Sequence, residues 1–108
     1  MLRAVVLAAI LVPVTARAGS RDLCRPGATF HGATIDLDVK GADIHEVFRL
    51  LADVGNINIV VPDDVAGKVT LRLKRVPWDQ VACTVAAVHK LSIVADRNVV
   101  LVRRKGAE

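Results

Sequence analysis

Few side chains in this 108-residue sequence are suited to chemistry, and their spacing limits what they can do. Cys24 and Cys83 are the two cysteines, and no C-x-x-C motif links them to redox catalysis. That leaves a disulfide or two free buried thiols. His31, His45 and His89 lie 14 and 44 residues apart, in a loop, at a helix start and at a helix end. None has the i, i+4 spacing of a zinc-binding helix. His89 suits the negative end of a helix dipole, an ordinary structural role. Carboxylates come close at Asp36/Asp38, on the outward side of a strand, and at Asp63/Asp64, in a turn after Pro62. Solvation and turn formation account for both pairs. No nucleophile elbow or glycine-rich phosphate loop accompanies them. The expected protein is not an enzyme, and it takes no cofactor, metal or small-molecule substrate.

What stands out instead is charge on a strand. From Lys68 to Lys74 apolar residues alternate with polar ones, so Val69, Leu71 and Leu73 point one way while Thr70, Arg72 and Lys74 point the other. Arg75 adds to this basic face, and Arg103-Arg104-Lys105 makes a basic tail. Solvated charge of this kind commonly discourages edge-to-edge aggregation. The functional alternative is that Thr70, Arg72, Lys74 and Arg75, or the last strand, offer an unpaired edge to an extended acidic segment of a partner. Trp78 is either an anchor for such a partner or core, and its place at the start of an apolar stripe favours core.

The compartment follows from the first residues. Arg3, the apolar run Ala4 to Val14, and Ala16-Arg17-Ala18 form the three parts of a secretory signal peptide, and the run is shorter than the roughly 20 residues that cross a bilayer. Cleavage after Ala18 and export to the periplasm are expected. An uncleaved anchor is the alternative, and lipidation at Cys24 is disfavoured by Arg21-Asp22-Leu23. Without its leader the chain keeps 13 Lys and Arg against 11 Asp and Glu, a charge of +2 where the full sequence has +4. With one Trp, two Phe and no Tyr, it is a poor candidate for binding nucleic acid. The remaining 90 or so residues are enough for one small domain.

The elements that must position these groups are legible from periodicity. Residues 19–33 read as an N-terminal extension, or strap. Thr34 to Val39 alternates as a half-buried strand. Ile44, Val47, Phe48, Leu51 and Ala52 then fall at helical spacing behind a capping box of Asp43 and Glu46, and Gly55 ends this helix. Ile57 to Val61 is a short β-branched strand ending at Pro62. After the basic strand, Pro77 fits the first turn of a second helix, with Trp78, Val81, Ala82, Val85 and Val88 as its stripe and an end near Lys90. Leu91 to Ala95 and Asn98 to Arg103 are two strands joined by a tight turn. The order is βαββαββ, an α+β domain. At 100° per residue Cys83 lies about 160° from the centre of the Trp78/Val81/Val85 stripe, on the outer side of the helix. An exposed lone thiol is a liability outside the cytoplasm, so a Cys24–Cys83 bridge is expected to tie the strap over that helix.

Ile35 to Ile44, Phe48 to Ala52, Asn58 to Val61, Gly67 to Leu73 and Val76 to Gln80, in this order, resemble the short N-terminal domain shared by secretins and TonB-dependent transducers, nearest in wording to secretins of type IV pili. The resemblance covers about residues 34–103, with a signal peptide at 1–18, the strap at 19–33 and a basic tail at 104–108 outside it. It implies two helices packed between small β-sheets and a periplasmic module that makes protein contacts. The partners it implies are envelope proteins, either a secretin or inner-membrane components of its machine, with a homo-oligomer left open. Two further readings are a signalling domain that binds an anti-sigma factor and the remnant of a truncated secretin. Secretins continue into further domains and a pore, so a chain ending at Glu108 is not expected to form the channel itself. Position 83 is usually polar or acidic in the family. Ala82, Ala86 and Ala87 replace larger apolar residues, which predicts a thin core or one completed by the strap.

Overall fold

Asp43 begins the first helix. Its carboxylate accepts from the His45 N–H at 2.8 Å, and the Ile44 N–H donates to the Gly67 carbonyl at 3.0 Å, so the first orphan donors of the helix are satisfied. The computed structural model describes residues 21–106, so the expected leader and its cleavage site, and the last two residues of the basic tail, lie outside the described part. Its elements are β1 (Arg21–Asp22), β2 (Thr34–Asp43), α1 (Ile44–Gly55), β3 (Asn58–Val60), β4 (Lys68–Pro77), α2 (Trp78–His89), β5 (Leu91–Asp96) and β6 (Val99–Arg104).

β2 and β4 form an antiparallel two-stranded ribbon, and the other four strands form a sheet in the order β1-β5-β6-β3. In that sheet β3 runs parallel to β6 while β5 is antiparallel to both β1 and β6. The helices pack on one another between the two layers: α1 touches β2 and β3, and α2 touches β4 and β5. Ile44, Val47, Phe48 and Leu51 from α1 meet Trp78, Val81, Ala82, Val85 and Ala86 from α2. Leu37 and Val69 close the core from the ribbon, and Leu91, Ile93, Ala95, Val100 and Val102 close it from the sheet. Each of the larger side chains contributes roughly 1.5–3 kcal/mol by leaving water.

Several boundaries differ from the sequence reading, each for a local reason. The first long strand continues to Asp43, four residues further than its alternation suggested, because a bulge lets it follow β4 to the end. The first helix does end at Gly55, but the residue that stops it is Asn56, which takes the left-handed conformation, φ 52°, and whose N–H, like that of Ile57, bonds back to Ala52. Glu46 does not act as the second half of a capping box but lies 3.7 Å from Arg49. Pro77 is the residue before α2, still paired with Thr34 in the ribbon, and the helix starts at Trp78. Val88 is 70% exposed and does not belong to the buried stripe, whose place at that end is taken by Ala86. The stripe is centred near Trp78, Ala82 and Val85, and Val88 falls about a quarter turn off it.

The strap is more ordered than its composition suggested. Arg21 and Asp22 pair with Ala95 and Val94 as an extra edge strand, so the order becomes ββαββαββ. The Leu23 N–H continues this pairing to the Ile93 carbonyl at 2.9 Å, and Leu23 and Cys24 pack against the core. Further along, the Ala33 carbonyl accepts from the Trp78 N–H at 2.9 Å. The Trp78 indole is held between two glycines: a Cβ on Gly32 would stand 2.4 Å from it and one on Gly55 2.5 Å.

Candidate protein-interaction site

Of the basic residues singled out in the sequence, Arg72, Lys74 and Arg75 lie on the ribbon, whose shape is set by two bulges, while Arg103 and Arg104 lie on β6 of the other sheet. Val39 pairs with Leu71 and Ala42 with Val69, so Lys40 and Gly41 together oppose Thr70. Gly41 takes φ +63° there, and its N–H donates to the Thr70 hydroxyl at 2.8 Å. At the other end Ile35 pairs with Val76 and Leu37 with Leu73, so Lys74 and Arg75 oppose Asp36. Arg75 is left-handed, φ 55°, and its N–H donates to the Asp36 carboxylate at 2.8 Å. The extra residue restores the alternation, so Lys74 and Arg75 are both exposed while Val76 turns back toward the core.

These contacts redistribute the roles assigned from sequence. Thr70 and Asp36 each hold a bulge. Arg72 faces Asp38 across the strands at 3.9 Å, with both side chains about three-quarters exposed, a pair that adds little stability but partly neutralises the face. Lys74 and Arg75 keep their charge in water. The four residues are thus brought together on one strand but do not converge on a common point.

The edge of β4 is a different matter. β4 has one strand neighbour, β2, so its other edge is without a strand partner among the described residues. Beside that edge runs a groove of about 310 Å³, with Lys68, Thr70 and Leu71 on the strand side and Thr84, Val88 and His89 on the helix side. Val88 is the exposed apolar wall of this groove, which explains why a valine that looked like core is not buried. Lys68 and His89 put basic groups at one end. Sequence reasoning found the strand and missed the helix wall; the signal was present in Val88, whose angle from the centre of the stripe is larger than that of its neighbours.

The chemistry-bearing residues elsewhere are used structurally. A disulfide joins Cys24 to Cys83, with Cα atoms 5.5 Å apart, and fastens the strap across the outer side of α2. His45 donates through Nε2 to the Val65 carbonyl at 2.7 Å, which fixes the loop between β3 and β4. Asp64 lies 3.3 Å from Arg104. Among the described residues no three His, Cys, Asp or Glu side chains gather in a way that could hold a metal, and no helix is long and apolar enough to cross a membrane.

The chain is similar to known proteins over about two thirds of its length. It is 40% identical over 72 residues to the type IV pilus biogenesis and competence protein PilQ of Neisseria gonorrhoeae, covering 67% of this chain and 10% of that protein. The fimbrial assembly protein PilQ of Pseudomonas aeruginosa is 37% identical over 73 residues, 68% of this chain and 10% of that one. The chain therefore matches about a tenth of the length of these relatives. No protein-family model matches it. Among solved structures, the N0 domain of the type II secretin from enterotoxigenic Escherichia coli superposes with a TM-score of 0.60 at 19% identity, over 68% of this chain and 96% of that one. XcpQN012 superposes with a TM-score of 0.58 at 21% identity, over 71% and 38%. At these identities the structural likeness speaks for the fold: two helices between two small sheets.

Proposed function

The chain carries a domain of the secretin N-terminal family, and from that premise we propose that it works in the periplasm as a non-catalytic contact module of a secretin system, binding an extended segment of an envelope protein along the open edge of β4. The observation that carries this reading is the pairing of an unpartnered strand edge with an apolar groove. Backbone groups of β4 supply register and affinity, and the Leu71–Val88 groove takes alternate side chains of the added strand. Lys68 and His89 at the end of the groove, and Lys74 and Arg75 further along the strand, favour an acidic segment. The names of the matched relatives point to type IV pilus biogenesis and competence, which supports a secretin system over binding to an anti-sigma factor. The carboxylates and histidines with structural duties support a role without catalysis.

A photo-crosslinking residue at Val88, in the full chain expressed in cells that assemble a secretin, tests the reading. The expected product, identified by mass spectrometry, joins the chain to a secretin or to another envelope component of the same machine. A crosslinker at the exposed Asp53 on α1 should yield none. No such product from position 88, or the same product from both positions, would overturn the proposal.

A further inference from the structure

The outer face of the four-stranded sheet is apolar where water-facing strands are normally polar. Leu91, Ile93, Ala95, Val100 and Val102 point to the helices, so Val94, Val99, Leu101 and Val60 project the other way. Register puts Asp22, Val94, Leu101 and Val60 in one row across β1, β5, β6 and β3, apolar from β5 to β3 and ending on β1 in an exposed carboxylate that accepts from the Cys24 N–H at 3.0 Å. Val60 is 48% and Val99 38% exposed. The row forms the middle of an open trough of about 730 Å³ that has Arg103 at one end and Asp96 at the other.

Three charged residues line the trough, Arg103 at one end and Asp96 with its chain neighbour Arg97 at the other. Arg49, Arg72 and Arg104 each lie near a carboxylate, whereas no ion pair of Arg103 or of Asp96 occurs among the described residues. The Arg103 Nε is buried without a hydrogen-bond partner. Arg103 stands one row to one side of Leu101, opposite Ser92, and Asp96 one row to the other side, opposite Val99. The patch is therefore complementary to itself. A two-fold axis lying in the plane of the interface, along that row, stacks Val94, Leu101 and Val60 on their own copies, sets Val99 against the other copy's Arg103 and brings that Arg103 beside Asp96, with the two Asp22 residues at the rim.

We propose that two copies of this chain associate face to face through the outer surface of the sheet, with Leu101 at the centre and reciprocal Arg103–Asp96 pairs at the two ends. A second copy is the occupant that meets Arg103, Asp96 and the apolar part of the row with one surface. This surface is distinct from the β4 edge, so the dimer leaves the groove at Val88 free. Three strands by three rows is smaller than the roughly 800 Å² per partner of a standard interface, so the dimer is weak, with dissociation in the range of about 10 µM to 1 mM. The end pairs are solvent-accessible, and added salt weakens them.

Sedimentation equilibrium on the chain purified from the periplasm of an expression host, from about 10 µM to 1 mM, reads the association. Wild type should dimerise across this range. Leu101→Asp should abolish dimerisation, and Arg103→Glu or Asp96→Arg alone should weaken it at least tenfold, because each places like charges together. An equimolar mixture of Arg103→Glu and Asp96→Arg should restore dimerisation: the introduced carboxylate of one variant then meets the introduced guanidinium of the other, while the native Asp96 of the first meets the native Arg103 of the second. Far-UV circular dichroism and thermal midpoints check that each variant is folded. Val88→Glu should leave the association unchanged, which separates this result from the fate of the β4 reading. A monomeric wild type at the highest concentration, single charge variants that dimerise like wild type, or a mixture that does not recover would each overturn the proposal.

Discussion

Trp78 packs so closely over Gly55 that a methyl group added at position 55 would stand 2.5 Å from the indole ring. The glycine is thus a packing requirement of the α1–α2 contact and not the helix stop that its identity suggests. Gly55→Ala should destabilise the domain by about 1–3 kcal/mol through overpacking, outweighing the roughly 0.5–1 kcal/mol that alanine gains in a helix. Urea denaturation of the oxidised protein measures it, and an unchanged or raised midpoint would contradict this packing.

The Cys24–Cys83 bridge closes a loop with a sequence separation of 59 residues. On the chain-entropy model it should contribute about 4 kcal/mol. The Cys24→Ser/Cys83→Ser double variant should lose most of that in denaturant titrations, and reductant should lower the wild-type midpoint toward the variant's. Equal midpoints with and without reductant would show that the strap holds without its covalent tie.

Arg75 occupies a left-handed position in a bulge whose N–H is taken by Asp36. A non-glycine residue there costs roughly 1–2 kcal/mol, so Arg75→Gly should stabilise by a few tenths to about 1 kcal/mol after the entropy of glycine in the unfolded chain is set against it. Asp36→Ala should cost about 1 kcal/mol by stranding the N–H. Opposite shifts in thermal midpoint for the two variants are the expected signature.

Val85 and Val88 are neighbours on α2 with opposite fates, 1% and 70% exposed. Val85→Ala should cost about 1.5–3 kcal/mol. Val88→Ala should stay within about 0.5 kcal/mol of wild type. Comparable losses for both would place Val88 in the core after all and close the groove beside β4.

Where one face of an element meets the core and the other meets water, the sequence announced it. The alternation of Ile35, Leu37 and Val39 and the spacing of Ile44, Val47, Phe48 and Leu51 gave the ribbon and α1 without further information. The failures came where a tertiary partner overrides a local signal. Arg21 and Asp22 carry no strand pattern because their pairing is supplied entirely by β5. Lys74-Arg75 read as ordinary strand and Lys40-Gly41 carry no strand signal, since a bulge is defined by the residue it faces and not by its own type. Of the candidate site, the strand was visible and the groove was not, because the groove belongs to two elements that only the fold brings together.

The edge strand β1 has a consequence for the order in which the domain assembles. Asp22 pairs with Val94, more than seventy positions later, so the first described segment to leave the ribosome is among the last to find its place. Until β5 exists the strap has nothing to add to, and closing so long a loop early would be entropically unfavourable. The β5–β6 hairpin, whose paired strands are consecutive in the chain, is the natural early local unit, and docking of the strap, followed by closure of its sulfur bridge, is the natural final step. Maturation therefore ends at the strap, and a chain whose strap is slow to dock waits with its β5 edge uncovered.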